Sequence, residues 1–450
     1  MCVQVQSVLA KLSVCRTHVM GGRKFQCADC DKTSSLYNSC GDRHCPQCSG
    51  SKRIDFNEKA SKLLLPGVVY YQVVFTLPSE LSELALANQK EMSELLATSA
   101  WKGLSKNIKD EQGYEPAGIS VLHTWNQKLE AHWHVHLLVP GEGPGITTQA
   151  WTRAAAPPDA KNSDGYYLVD VERLRETYRK RAIAKLRRLR ASGKLKFGGK
   201  FESLRSSENW EVFVKNLESK SWAAHIQPPP KETSHGNEVV NYLTRYLTGG
   251  PISNHRIVAA DRTQVTFMAR EGKRVGGERQ QVPITLKIGD FVRRWCLHIQ
   301  PEQLTKTRYF GGWSNQLREA YMSHCRETLA SSDQLTTPEA ADQESELEDP
   351  VHACPHCGSD RLQLISQTAR PSWRDLFRRE DPRCPSWYAE LQLQEFRQHW
   401  DEAMGAGYSD WYLETQVEGA KESSPAAASP PLQLSLVGMT SQRSFAIESF

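Results

Sequence analysis

Three histidines, His132, His134 and His136, alternate along the otherwise apolar stretch 131–139. Successive side chains of a strand point to opposite faces, so these three share one face. Imidazoles are ready ligands for a divalent cation, and burying them without a partner is costly. The pattern therefore reads as a metal or catalytic site rather than as plain core. His123 lies just upstream, with Gln127 and Glu130 between. Any of these could supply a further ligand or orient one, and the third ligand stays open between His132 and His123.

Tyr242 and Tyr246 stand four apart in 238–251, a helical pattern stopped by Gly249, Gly250 and Pro251. At that spacing they share a helix face, with Arg245 beside them. A metal on paired histidines polarises a phosphate, and a tyrosine phenolate can attack phosphorus and hold the strand covalently. The other product is a free 3′-hydroxyl, so the energy of the broken bond is kept for rejoining. A second tyrosine permits two coupled transfers. Tyr408 and Tyr412 repeat the spacing, but Asp410 and Glu414 make theirs a poor setting for a phosphodiester.

Seven of the 12 cysteines fall within the first 48 residues, which points to metal rather than disulfides in a reducing compartment. Cys27-x-x-Cys30 and Cys45-x-x-Cys48 are two knuckles that together predict one four-cysteine zinc site. Four protein ligands leave no open position, so its role is structural. Cys15, His18, Cys40 and His44 add enough candidates for a second, interleaved zinc. A further knuckle, Cys354-Pro355-His356-Cys357, has Cys384, His352, His356 and His399 as candidates to complete it.

The elements that must position these groups follow from patterning. Residues 68–77, 119–125 and 131–139 are β-branched or aromatic runs that predict strands, with a turn at 126–130 and a helical stretch at 82–109. Strand, helix and strand pair predict an α+β fold with an antiparallel sheet flanked by helices. Residues 171–205 carry 13 Lys and Arg against 3 Glu, with Leu174, Ala182, Ile183, Leu186 and Leu189 at near-helical spacing. This predicts a basic amphipathic helix whose Arg179, Lys180, Arg181, Lys185, Arg187 and Arg188 suit phosphate contacts. Strand-like stretches at 257–267 and 281–288, a helical one from Phe291, and the basic-aromatic run 305–311 with Arg308 follow.

A hydrophobic share of 39% and a charged share of 24% exclude a wholly disordered or collagen-like chain. The longest mostly apolar stretch, 63–75, is broken by Pro66 and Gly67 and is too short to span a bilayer. No basic segment leads into an apolar one at the start, so no signal peptide is expected. The net charge of +4 conceals a basic body and an acidic tail: residues 331–450 carry 9 basic and 20 acidic side chains. The expected divisions are a zinc-binding domain at 1–52 and a catalytic domain at 53–325 with a basic helical insertion near 171–225. An acidic linker at 326–352, a C-terminal region with a zinc knuckle at 353–418 and a disordered tail at 419–450 complete them.

His134-Val135-His136 resembles the His-hydrophobic-His motif of the HUH endonucleases, and Tyr242 with Tyr246 resembles their two-tyrosine branch. Cys15-Arg16-Thr17, Tyr37-Asn38-Ser39-Cys40 and the run from Arg43 to Cys48 are similar to the zinc-binding domain of insertion sequence 91 family transposases. So are Val74 to Pro78, Leu122 to Trp125, Tyr242 to Tyr246 and Pro251 to Asn254, in family order across about 10–315. The resemblance implies rolling-circle-like DNA transposition of a bacterial insertion element through single-stranded DNA ends and target DNA. It implies structural Zn2+, Mg2+ or Mn2+ at His134 and His136, tyrosine nucleophiles at 242 and 246, and a cytoplasmic, nucleoid-associated protein with no membrane. The chain departs from the family pattern at Arg23, where a histidine is common, and at Trp133, where a proline is common. A replication initiator or relaxase, a noncatalytic zinc-containing DNA-binding regulator, and a zinc hydrolase on His132, His134 and His136 are the rival readings.

Overall fold

The computed structural model describes residues 3–148, 150–158, 166–227, 250–275, 278–301, 303–332 and 353–371. The chain opens with α1 (Val3–Ser13), a hairpin of β1 (Gly22–Cys27) and β2 (Thr33–Tyr37), and α2 (Ser49–Ser61). β3 (Tyr70–Thr76), α3 (Ser79–Ala87), α4 (Gln89–Gln112), β4 (Ala117–Trp125) and β5 (Ala131–Pro140) follow. Next come a short hairpin of β6 (Glu142–Pro144) and β7 (Trp151–Arg153), then α5 (Val171–Ala191), α6 (Ser207–Ser219) and β8 (Ala224–Gln227). Beyond residue 250 lie β9 (Ile257–Ala260), β10 (Gln264–Val275), β11 (Glu278–Lys287), α7 (Ile288–Cys296), β12 (Thr307–Gly311), α8 (Arg318–Ala330) and β13 (Leu362–Thr368).

The apolar strands assemble into a five-stranded sheet in the order β12-β4-β5-β3-β8, antiparallel at every pair. β5 is central, and its alternation sorts the two faces. Trp133, Val135, Leu137 and Val139 are buried against the helices, in one cluster with Leu95 and Leu104 of α4 and Leu174 and Tyr178 of α5. The opposite face is closed at one end by Tyr70, Ile119, Val121 and Leu138 under Trp313 and by Met322 of α8. At the other end of that face the even positions of β5 are the histidines. This is the α+β fold that the sequence predicts: an antiparallel sheet flanked by helices, preceded by a cysteine-rich module.

A second sheet, β11-β10-β9, packs Phe267 and Val265 against Phe291 and Trp295 of α7 and against Val8 and Leu9 of α1. Leu129 joins that cluster from the turn between β4 and β5. Asn126 Oδ1 accepts from the Lys128 and Glu130 N–H groups and so shapes the turn, and Leu129 takes a left-handed φ of 60°.

Five sequence expectations change. The helical stretch at 82–109 is two helices, broken at Asn88, whose buried amide donates to the Leu84 and Lys196 carbonyls. Residues 257–267 are two strands, turned at Asp261, which accepts from the Thr263 and Gln264 N–H groups. The stretch 171–225, expected as a helical insertion, does not stand apart: α5 and α6 supply part of the main core and β8 is an edge strand of the main sheet. The C-terminal region from 353 is not separate either, because β13 pairs antiparallel with β1 of the N-terminal module. The expected linker start at 326 falls inside α8, while 333–352 and 372–450 lie outside the described residues.

Candidate functional site

Cross-strand register brings the histidines together. His123 of β4 pairs with His134 of β5, and His136 lies two residues further on the same face. The ring centroids of His123 are 5.2 Å from His134 and 4.7 Å from His136, and His134 lies 5.0 Å from His136. One nitrogen from each of the three falls within 4.8 Å of the others, a spacing that one cation could bridge. His132 is adjacent, 5.1 Å from His134 between centroids, but is not in that set.

The surroundings keep His134 and His136 neutral. Burial holds His134 well below the usual histidine range, with the neighbouring His136 adding to the effect. Burial, then the charge of Lys306, pushes His136 down to about 4. A neutral imidazole has a lone pair to offer, so the set is prepared for a ligand role at ordinary pH. His134 Nδ1 lies 2.9 Å from the His132 carbonyl oxygen. A carbonyl only accepts, so Nδ1–H is the donor and Nε2 carries the lone pair.

Three residues at the site were not singled out from sequence. Gln72 of β3 places its amide 2.6 Å from His136 Nδ1. It is the one polar residue in the run 68–75, and that interruption was the available signal. His298 is buried between Thr124 Oγ1, which donates to Nδ1 at 3.2 Å, and the Leu129 carbonyl, to which Nε2–H donates at 3.2 Å. It thereby ties the end of α7 to the β4–β5 turn, and burial pushes its pKa down to about 4. Lys306 holds its ammonium 5.2 Å from the Trp125 ring, which stacks on His123 at 4.7 Å. Gln127 and Glu130 stay in the turn, with Glu130 bound to Asn126 and Arg294.

Tyr242, Tyr246 and Arg245 lie outside the described residues. β8 stops at Gln227, which pairs with Gln72, and the chain resumes at Gly250, with Ile252 packed in the cluster that holds Leu129.

The cysteines sort differently from the sequence expectation. Cys45 and Cys48 join Cys15 and Cys40, not Cys27 and Cys30. Cys15 Sγ is 3.5 Å from both Cys48 Sγ and Cys45 Sγ, and Cys40 Sγ is 3.6 Å from Cys48 Sγ. All four are buried, and thiol hydrogen bonds from Cys40 and Cys45 hold Cys15 down at about 4. Neither His18 nor His44 enters the set. Both nitrogens of His44 are engaged, with Asp42 at 2.9 Å and with the Gln300 N–H at 3.1 Å. Beside it Arg43 donates to the Leu304, Gln300 and Pro301 carbonyls and latches the module to the strand-bearing body. Cys27 and Cys30 meet Cys354 and Cys357 instead. The expected partners of that last knuckle, Cys384, His352 and His399, lie outside the described residues, and His356 is not in the set.

The basic helix is largely neutralised from within. Lys180 pairs with Glu176 at 2.6 Å, and Arg187 pairs with Glu211 at 2.7 Å. Lys185 donates to Thr98 Oγ1 at 2.6 Å and pairs with Glu94, which also binds Arg308. Arg179 donates to the Lys220 carbonyl at 3.2 Å. Arg181 and Arg188 have no hydrogen-bond or ion-pair partner among the described residues, and Arg188 is exposed.

Known proteins match this chain over both of its parts. Residues 118–320 match the family described as "Putative transposase", and residues 1–77 match the family described as "Transposase zinc-binding domain". The chain is 30% identical over 366 residues to "Putative transposase y4qJ" of Sinorhizobium fredii (strain NBRC 101917 / NGR234), covering 80% of this chain and 88% of that one. It is 25% identical over 339 residues to "Transposase for insertion sequence element IS801" of Pseudomonas savastanoi pv. phaseolicola, covering 75% and 76%. No solved structure matches it. No helix among the described residues is long and apolar enough to cross a membrane. The zinc-binding domain match and the Cys15, Cys40, Cys45 and Cys48 set agree on structural zinc. The chain belongs to the insertion sequence 91 family of transposases.

Proposed function

We propose that this transposase cuts and rejoins single-stranded DNA at the ends of its element, with Tyr242 and Tyr246 as nucleophiles beside a cation site on His123, His134 and His136. The observation that carries the reading is the convergence of the His123, His134 and His136 imidazoles on one sheet face, with His134 and His136 held neutral. Imidazole donors without a carboxylate suit Mn2+ better than Mg2+.

A bound divalent cation would supply Lewis-acid polarisation of the scissile phosphate. The chain's own residues do the rest. His134 is oriented by the His132 carbonyl, and His136 by Gln72. As placed, the Gln72 amide nitrogen donates to His136 Nδ1; turned about its axis, the amide would offer its oxygen instead, so that Nδ1–H donates and Nε2 keeps its lone pair for a cation. Lys306 offers a positive charge for the phosphate oxygens. The phenol of a tyrosine loses its proton, its oxygen forms a bond to phosphorus, and the 3′-oxygen leaves and takes up a proton. Reversal by a new 3′-hydroxyl releases the tyrosine and seals the strand.

The test uses labelled single-stranded DNA carrying the element's ends, with and without Mn2+, read on a denaturing gel. A cation-dependent adduct that resists boiling is expected, absent from the Tyr242→Phe, Tyr246→Phe double variant and present in the Tyr408→Phe, Tyr412→Phe one. An adduct of wild-type yield in the first double variant would sink the proposal.

A further inference from the structure

The two halves of the Cys27, Cys30, Cys354 and Cys357 set are 330 residues apart in the chain. Yet they are built alike. In the first, the Asp31 N–H donates to the Cys27 carbonyl and the Cys27 N–H to that of Lys32, each at 3.0 Å. In the second, the Gly358 N–H donates to the Cys354 carbonyl at 2.8 Å and the Cys354 N–H to that of Ser359 at 2.6 Å. The residue after each second cysteine takes a left-handed φ, 55° at Asp31 and 77° at Gly358. Aspartate and glycine are residues that tolerate it. Such a turn directs both thiols of a knuckle to one side, and here the two knuckles face each other.

The sulfur spacing fits a shared ion. Cys27 Sγ lies 3.6 Å from Cys357 Sγ, and Cys30 Sγ lies 3.7 Å from Cys354 Sγ. Tetrahedral zinc with Zn–S of about 2.3 Å has sulfur–sulfur edges of about 3.8 Å. A disulfide needs about 2.05 Å, so neither pair is bonded. The frame around the set is independently fixed. β1 and β13 run antiparallel from Cys27 opposite Leu362 to Gly22 opposite Thr368. Asp29 accepts from Ser359 Oγ at 2.5 Å and from Arg361 at 2.7 Å. Arg370 donates to the Cys40 carbonyl at 2.6 Å, and Asn38 to that of Thr368 at 3.3 Å.

We infer that Cys27, Cys30, Cys354 and Cys357 bind a second zinc ion, half from the N-terminal module and half from the segment beyond residue 352, which clasps the two together. The inference does not depend on the strand-transfer proposal. The full-length protein, desalted after growth with zinc, is assayed by plasma mass spectrometry. Two zinc ions per chain are expected in the wild type. Cys27→Ser, Cys30→Ser and Cys354→Ser, Cys357→Ser should each retain one, and the quadruple variant should also retain one, because both pairs hold the same ion. One zinc in the wild type, or two in the Cys354→Ser, Cys357→Ser variant, overturns the inference. Cys357→His guards against a fold failure, since an exposed position accepts the ring and imidazole is a zinc ligand. Loaded with Co2+, it should bind two ions with one visible spectrum shifted from the four-thiolate form. An unshifted spectrum counts against the site.

Discussion

At the scale of single residues, the histidine site divides into what is local and what is not. The alternation of His132, His134 and His136 is a property of one strand, so a shared face was readable directly. The choice of His123 over His132 as the third member of the set depends on how β4 registers against β5, and Gln72 reaches His136 only across β3 and β5. No local pattern encodes either. Gln72→Ala should weaken Mn2+ binding about 10- to 100-fold, as measured by the paramagnetic resonance of free Mn2+, with circular dichroism unchanged. Wild-type affinity would show that Gln72 does not orient the ring. His298 gives a pH prediction. Its folded pKa of about 4 lies below the unfolded value, so neutral His298 contributes stability that is complete above about 6.5 and is lost as pH falls toward 4. At pH 5 the loss is about 2 kcal/mol at about 1.4 kcal/mol per unit. His298→Asn should therefore lose less stability than the wild type between pH 7.5 and pH 5 in urea titrations. Equal losses would mean that burial does not hold this ring neutral.

At the scale of elements, α5 shows how far a sequence pattern reaches. Its helical period and apolar face were legible, since Leu174, Ala182, Ile183 and Leu186 are buried and Leu189 is half-buried. What its charges do was not, because Glu94 and Glu211, the partners of Lys185 and Arg187, belong to α4 and α6. The cations with partners should act on stability and those without on DNA. Arg181→Ala with Arg188→Ala should lower the slope of log affinity against log salt for single-stranded DNA by about 1.4, at about 0.7 per lost phosphate contact. Arg187→Ala should leave that slope in place and shift the unfolding midpoint instead. An unchanged slope in the first variant would remove α5 from the DNA-binding surface.

At the scale of the whole molecule, the cysteines carry the lesson. Their residue types and spacing announced zinc, but pairing by proximity in sequence put Cys27 and Cys30 with the wrong partners. The sorting is done by β13 arriving beside β1, a contact no local window contains. The two sets also differ in exposure: Cys15, Cys40, Cys45 and Cys48 are all buried, whereas Cys357 is exposed. A chelator should therefore release zinc from the wild type in two phases, the faster one missing from Cys354→Ser, Cys357→Ser. A single phase in the wild type would count against a difference between the sites. The strand pairing also sets an order of events during synthesis. A ribosome adds about 5–20 residues per second. β1 therefore waits on the order of tens of seconds, while the entire strand-bearing body is made, before its partner exists. For that interval the N-terminal module has an open sheet edge and two thiols without their counterparts. A chain terminated after Ala330 and before residue 353 would keep the histidine face and never finish its beginning.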